Sequence, residues 1–197
     1  MGKFAPMSVD NREVHSAHAS DVADRAIALA GQALPSLTLE STEGPVDLRE
    51  LAAGLVVLFI YPHATGLPDV PVPGWESISG ALGCTAESCG FRDRQADYEG
   101  LGVVVAGLSV QGPDDQRAFA ERVRIRYRLI SDPSLQLAAV LGLPTFTASG
   151  RTFYRRLTLV ISRGMVRKVF YPIAEPGQHA DEVLAWLGTV DENGLDR

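Results

Sequence analysis

The sequence predicts an α/β protein with a central mixed sheet flanked by helices. Three observations carry this expectation. Leu55–Ile60 and Val103–Val110 are short, β-branched and almost continuously apolar, the pattern of strands buried on both faces. Stretches of helical periodicity alternate with such runs. Near the end, Arg156–Ile161 and Val166–Tyr171 flank Ser162-Arg163-Gly164, a hairpin pattern that adds an antiparallel edge.

The elements follow in order. Ser20-Asp21 is placed to cap a helix running to about Leu29, with Val22, Ala26, Leu29 and Ala30 on one face. Leu37-Thr38-Leu39 reads as a short strand, Ser41–Pro45 as a turn and Val46–Ala53 as a short amphipathic link. The strand Leu55–Ile60 is closed by Tyr61-Pro62. Residues 63–82 hold Pro68, Pro71, Pro73, Gly66, Gly74 and Gly80 around Trp75, a long loop of the kind that tends to be functional. Cys84–Glu99 has a helical pattern, with Phe91 and Tyr98 on one face. Pro113 opens the next helix, through Phe119 and Val123. Leu129-Ile130 is a short strand, Ser131-Asp132-Pro133 opens a helix to Leu141, and Gln178–Leu187 is the last amphipathic helix. This is the element order of a thioredoxin-like fold. The expected organisation is an N-terminal extension over 1–32 with a possible helix, one domain over 33–190, and a tail over 191–197.

Composition narrows the function classes. Hydrophobic residues make up 46% and charged residues 21% of 197, which excludes a disordered or collagen-like chain. A net charge of −6 argues against nucleic-acid or anionic-membrane binding as the main task. The longest apolar run is too short to span a bilayer, and the first residues lack a signal-peptide core, so a cytoplasmic location is expected. Cys84 and Cys89 are the only cysteines; no Cys-x-x-Cys pair suggests a closed zinc site. In a reducing compartment, two such thiols are either core filler or redox chemistry.

Cys84 opens a helix directly after the long loop. Unpaired backbone N–H groups and the helix dipole there favour a thiolate, so a lowered thiol pKa is expected. Cys89 lies five residues on, which in an intact helix separates the two Cα atoms by roughly 8.7 Å, beyond the ~7 Å reach of a disulfide. A bond between them requires the first turns to unwind, and Gly90 eases that. Such a disulfide is switched rather than structural.

The segment Gly83-Cys84-Thr85-x-Glu87-x-Cys89-x-Phe91-Arg92-Asp93 resembles the active-site helix of the peroxiredoxins, in particular the bacterioferritin-comigratory-protein or PrxQ group of the AhpC/TSA superfamily. Leu58–Pro62 resembles that family's strand and proline before the active-site loop. Val103–Ser109 resembles the strand after it, and Arg156–Ile161 the strand bearing the active-site arginine. The resemblance covers roughly residues 33–188. It implies a thiol-dependent peroxidase acting on hydrogen peroxide and organic hydroperoxides. Cys84 is then the peroxidatic thiolate, Cys89 the resolving thiol, and thioredoxin or a similar dithiol the reductant; no metal, haem or flavin is implied. Arg156 is expected beside Cys84, sharing a strand face with Thr158 and Val160, with Arg155 as the fallback. The chain is expected to act as a monomer or weak dimer.

The chain departs from the family pattern at the loop. Ala81 stands where a Thr or Ser is usual, and 21 residues separate Pro62 from Cys84. Thr65, three residues after Pro62, is the first choice for the peroxide-binding hydroxyl, with Ser77, Ser79 and Thr85 as alternatives. The inserted loop is expected to fold over the pocket, with Trp75 as an apolar wall. His63 reads as an exposed loop residue more readily than as a base. Two competing readings use the same cysteines: a thiol–disulfide oxidoreductase, disfavoured by the spacing, and a peroxide sensor whose switch exposes a partner surface.

Overall fold

In the computed structural model, residues 21–64, 75, 78 and 80–190 are described. Seven strands form one mixed sheet in the order β2-β1-β5-β4-β3-β8-β9. Its centre is β3 (Leu55–Ile60), parallel to β4 (Val103–Ser109), which is parallel in turn to β5 (Arg128–Ser131). On the other side β3 pairs antiparallel with β8 (Leu157–Ser162), and β8 with β9 (Met165–Phe170). β1 (Thr38–Ser41) joins β5 antiparallel, and β2 (Val46–Asp47) closes that edge. The continuous apolar runs are therefore the strands with sheet neighbours on both sides, as the burial of Val56 through Ile60 requires.

The two faces of the sheet carry separate cores. Val56, Leu58 and Ile60 pack with Leu157, Leu159 and Ile161 on one face. Val57, Phe59 and Tyr61 pack with Cys84, Phe91, Tyr98 and Val160 on the other. The second face is covered by α3 (Cys84–Asp93), α4 (Gln95–Gly100), α5 (Pro113–Val123) and α7 (His179–Leu187). Stacking of Phe59 on Phe91, with ring centroids 4.6 Å apart, seats α3 on β3. α7 is fixed by His179, whose Nε2 lies 2.9 Å from Thr158 Oγ1 on β8 and whose Nδ1 lies 2.8 Å from Glu182 Oε2.

Several elements differ from expectation. The helix read as Cys84–Glu99 breaks at Arg94, which caps α3 and starts α4. Across the break Phe91 and Tyr98 are both buried, and Tyr98 Oη donates to Ala180 O at 2.7 Å. The link 46–53 forms β2 and the short helix α2 (Leu48–Leu51), because the Asp47 carboxylate accepts from the N–H groups of Arg49 and Glu50. The helix expected from Ser131 starts only at Gln136 as α6 (Gln136–Leu141), since Leu135 takes a left-handed conformation. Asp132 caps it across that irregular turn, accepting from Gln136 N and Leu137 N at 2.9 Å and from Tyr154 Oη at 2.6 Å. A hairpin of β6 (Thr145–Ala148) and β7 (Arg151–Tyr154), absent from the sequence reading, turns at Ser149-Gly150, both with positive φ. β8 begins one residue later than expected, leaving Arg156 just before it. The expected hairpin turn is a two-residue loop with positive φ at both Arg163 and Gly164, matching the strand twist.

Both sheet edges are blunt. β2 is two residues long. Helix α1 is described over 21–27, and the chain then lays residues 31–34 along β9. Gly31 N and Val166 N exchange bonds with Val166 O and Gln32 O at 2.8 and 2.9 Å, and Leu34 N reaches Gly164 O at 2.8 Å. Ala26 and Leu29 are buried with this segment.

Gly107 in β4 marks the tightest layer of the second core. A Cβ there would lie 2.7 Å from both Leu129 Cδ2 and Phe59 Cζ. Gly107→Ala is expected to destabilise the fold by about 1–3 kcal/mol through overpacking, read as a lowered urea midpoint at unchanged slope.

Candidate active site

The site is built where β3 ends, α3 begins and the chain enters β8. Gly83 caps α3 with φ 94°, and a Cβ there would lie 2.8 Å from Pro176, so the loop before α7 presses on the first turn. Cys84 follows at the first helical position, only 3% exposed. Arg156 enters from the start of β8 and is equally buried. Its Nη2 lies 3.1 Å from Cys84 Sγ and donates to Leu82 O at 2.8 Å; its Nε donates to Gly80 O at 3.2 Å; its Nη1 forms an ion pair with Glu87 Oε2. The guanidinium thus spends its fork on two carbonyls, one carboxylate and one sulfur.

Glu87 is the residue that sequence reasoning quoted in the motif and did not single out. It is fully buried, one turn after Cys84 on the same helix face. Its second oxygen, Oε1, has no hydrogen-bond partner among the described residues. Burial raises its pKa to about 7 despite the opposing pull of Arg156. The helix-terminus argument pointed to a lowered thiol pKa for Cys84; here the outcome differs. Burial pushes the Cys84 thiol up, with Arg156 and the His63 backbone pulling the other way and the Glu87 charge adding to the rise. Two acids compete for one buried cation, and whichever is ionised holds it.

The remaining expected residues fall as follows. Pro62 is buried in the segment that leads out of β3, and its neighbours Tyr61 and Ala64 share the apolar cluster of Cys84. Ala64 is clamped by Gln111, which accepts from Ala64 N at 2.7 Å. Thr65, Ser77 and Ser79 lie outside the described residues. Thr85 is half-buried on α3. Both cysteines are free thiols, and Cys89 is half-buried in the second turn of a continuous α3, on the side of Arg92 and Tyr127. Arg155 is not at the site: its guanidinium lies over Phe146, 5.7 Å from the ring centre. Trp75 is buried in the first core against Phe153 and Phe146. Among the described residues no cluster of His, Cys, Asp and Glu could hold a metal ion.

Competition for Arg156 makes a test. Glu87→Gln is expected to lower the Cys84 thiol pKa, followed by ultraviolet thiolate absorbance in a Cys89→Ser background. It should also change the pH dependence of stability. An acid with a raised folded-state pKa favours folding below its ordinary value, 4.5, and loses that contribution as pH rises through about 7. Wild type should therefore lose stability relative to Glu87→Gln across this window, seen in urea midpoints.

A redoxin family model matches residues 29–184. Peroxiredoxin Bcp of Escherichia coli K12 is 28% identical over 163 residues, covering 80% of this chain and 94% of that protein. A chloroplastic peroxiredoxin Q of Populus jackii is 29% identical over 161 residues, covering 80% of this chain and 67% of that protein. Among solved structures, peroxidoxin BcpB of Mycobacterium tuberculosis superposes with a TM-score of 0.67 at 29% identity, covering 83% of this chain and 98% of the other. With a buried cysteine at a helix start, an arginine on its sulfur and a sheet of this topology, the chain belongs to the redoxin family as a member similar to the Bcp and peroxiredoxin Q proteins.

Proposed function

We propose that the chain is a thiol-dependent peroxidase in which Cys84 reduces hydroperoxides. The observation that carries this reading is the Arg156 guanidinium 3.1 Å from Cys84 Sγ at the N-terminus of α3. The Cys84 thiolate attacks one oxygen of the O–O bond. A Cys84 sulfenic acid forms, and the other oxygen leaves as hydroxide or alkoxide and takes a proton to become water or an alcohol. Arg156, charged at any working pH, stabilises both the thiolate and the negative charge developing on the leaving oxygen. Cys89 then attacks the sulfenic sulfur, releasing water and forming a disulfide. A dithiol such as thioredoxin reduces that disulfide by exchange and is itself oxidised. Recycling of this kind suits the cytoplasm, where thiols are kept reduced. No described helix is long and apolar enough to cross a membrane.

The test is thioredoxin-coupled NADPH consumption with hydrogen peroxide and with an organic hydroperoxide. Wild type is expected to turn over and Cys84→Ser to be inactive. Cys89→Ser should consume one equivalent of peroxide and stall. Turnover by Cys84→Ser would overturn the assignment, and reduction of insulin without peroxide would favour an oxidoreductase.

The disulfide demands a local rearrangement, because α3 is continuous through both cysteines. Its later part is tethered: Tyr127 Oη donates to Ser88 O at 2.7 Å, Arg92 Nη1 to Val123 O at 2.5 Å. Unwinding is therefore expected to start from Gly83 and to break the Tyr127 bond. Amide exchange should show the segment from Cys84 to Gly90 losing protection on oxidation. Equal protection in both forms, with a mapped Cys84–Cys89 disulfide, would contradict the argument.

A further inference from the structure

Three consecutive carbonyls precede Cys84, and each meets a donor. Gly80 O and Leu82 O accept from Arg156. Between them, Ala81 O accepts from Cys84 Sγ at 3.6 Å and from Trp75 Nε1 at 3.1 Å. The main chain reaches this turn from Trp75 in two steps, Ile78 N to Trp75 O at 3.2 Å and Ala81 N to Ile78 O at 3.1 Å. The indole is thus a second strut across the span from 75 to 81. Its ring is wedged against Phe153, Phe146 and His63 at centroid distances of 5.0, 5.8 and 6.2 Å.

A buried indole N–H commonly finds a backbone acceptor. What sets this one apart is the acceptor: the same oxygen takes the S–H of Cys84. That has two effects. A carbonyl that accepts from the thiol favours the protonated form, and a second donor on it weakens that hold. The turn also sets the direction of Arg156, whose rigid planar fork leaves the sulfur if the Gly80 and Leu82 carbonyls shift. Ala81 has no side-chain donor or acceptor to brace the turn itself.

We propose that Trp75 is a positioning residue for the oxidation of Cys84: its indole N–H holds the Ala81 carbonyl and so fixes the turn that aims Arg156 at the sulfur. The inference rests on the peroxidase reading for the rate of oxidation and is independent of it for the state of the thiol.

The experiment compares wild type, Trp75→Phe, and a protein carrying benzothienyl-alanine at position 75, all in a Cys89→Ser background. Benzothienyl-alanine keeps the indole's shape and replaces the N–H with sulfur. The readouts are the pH profile of Cys84 alkylation by iodoacetamide, the single-turnover rate with hydrogen peroxide, and the melting temperature. Both variants are expected to shift the alkylation profile to higher pH and to slow oxidation about fivefold to tenfold, the size of one net hydrogen bond. The benzothienyl protein should melt close to wild type. An unchanged profile and rate in the benzothienyl protein overturn the proposal. So does an effect confined to Trp75→Phe, which would assign the role to ring packing. If wild type resists peroxide while the alkylation profile still shifts, the peroxidase reading fails and the positioning role stands.

Discussion

Arg156 carries a full charge into a place that water does not reach, and the site is organised around satisfying it. An unpaired cation there would cost more than the fold could bear. Four groups meet it: the Glu87 carboxylate, the carbonyls of Gly80 and Leu82, and the Cys84 sulfur. Each belongs to a different stretch of the approach to α3 or to α3 itself. The helix start, the turn before it and the entry to β8 are therefore held in register by one side chain. Removing the charge would leave Glu87 buried without its cation, so structure and chemistry are not separable at this position.

The same arrangement sets a tension in the site. Burial opposes the Cys84 thiolate, and the neighbouring carboxylate competes for the cation that would stabilise it. One guanidinium faces both groups, and the charge on either makes ionising the other less favourable. The protonation of the Cys84 sulfur is thus linked to that of Glu87 through the cation that both face.

Much of this was legible in the sequence, for identifiable reasons. Leu55–Ile60 and Val103–Val110 could be read as central strands because burial on both faces leaves no polar alternation. Cys84 could be placed at a helix start because a glycine and a proline-rich loop precede it. Alternation put Arg156 and Arg155 on opposite faces, the family resemblance chose Arg156, and the two guanidinium groups do lie on opposite faces of the sheet region. Glu87 was not legible as a buried group: a carboxylate on a helix normally faces water, and only the tertiary position of Arg156 reverses that. The β6–β7 hairpin was hidden because Arg151 and Thr152 are exposed and the following Phe153 and Tyr154 are both buried, which breaks the alternation. The bond of Trp75 to Ala81 was out of reach because an indole gives no sequence cue to its acceptor. The bond of Tyr98 to Ala180 O on α7, a contact 82 residues away in the chain, was likewise out of reach.

The segment 31–34 along β9 and the two-residue strand β2 have a consequence for how copies of this protein meet. Open strand edges are where soluble proteins join into extended sheets and, at high concentration, into fibrils. One flank here is occupied by the chain's own backbone and the other offers two residues. Pairing with a neighbour is blocked over Gly164–Val166 on the first flank and limited to Val46-Asp47 on the second. The N-terminal backbone therefore takes, within the chain itself, the place a second copy would need to extend the sheet at the start of β9.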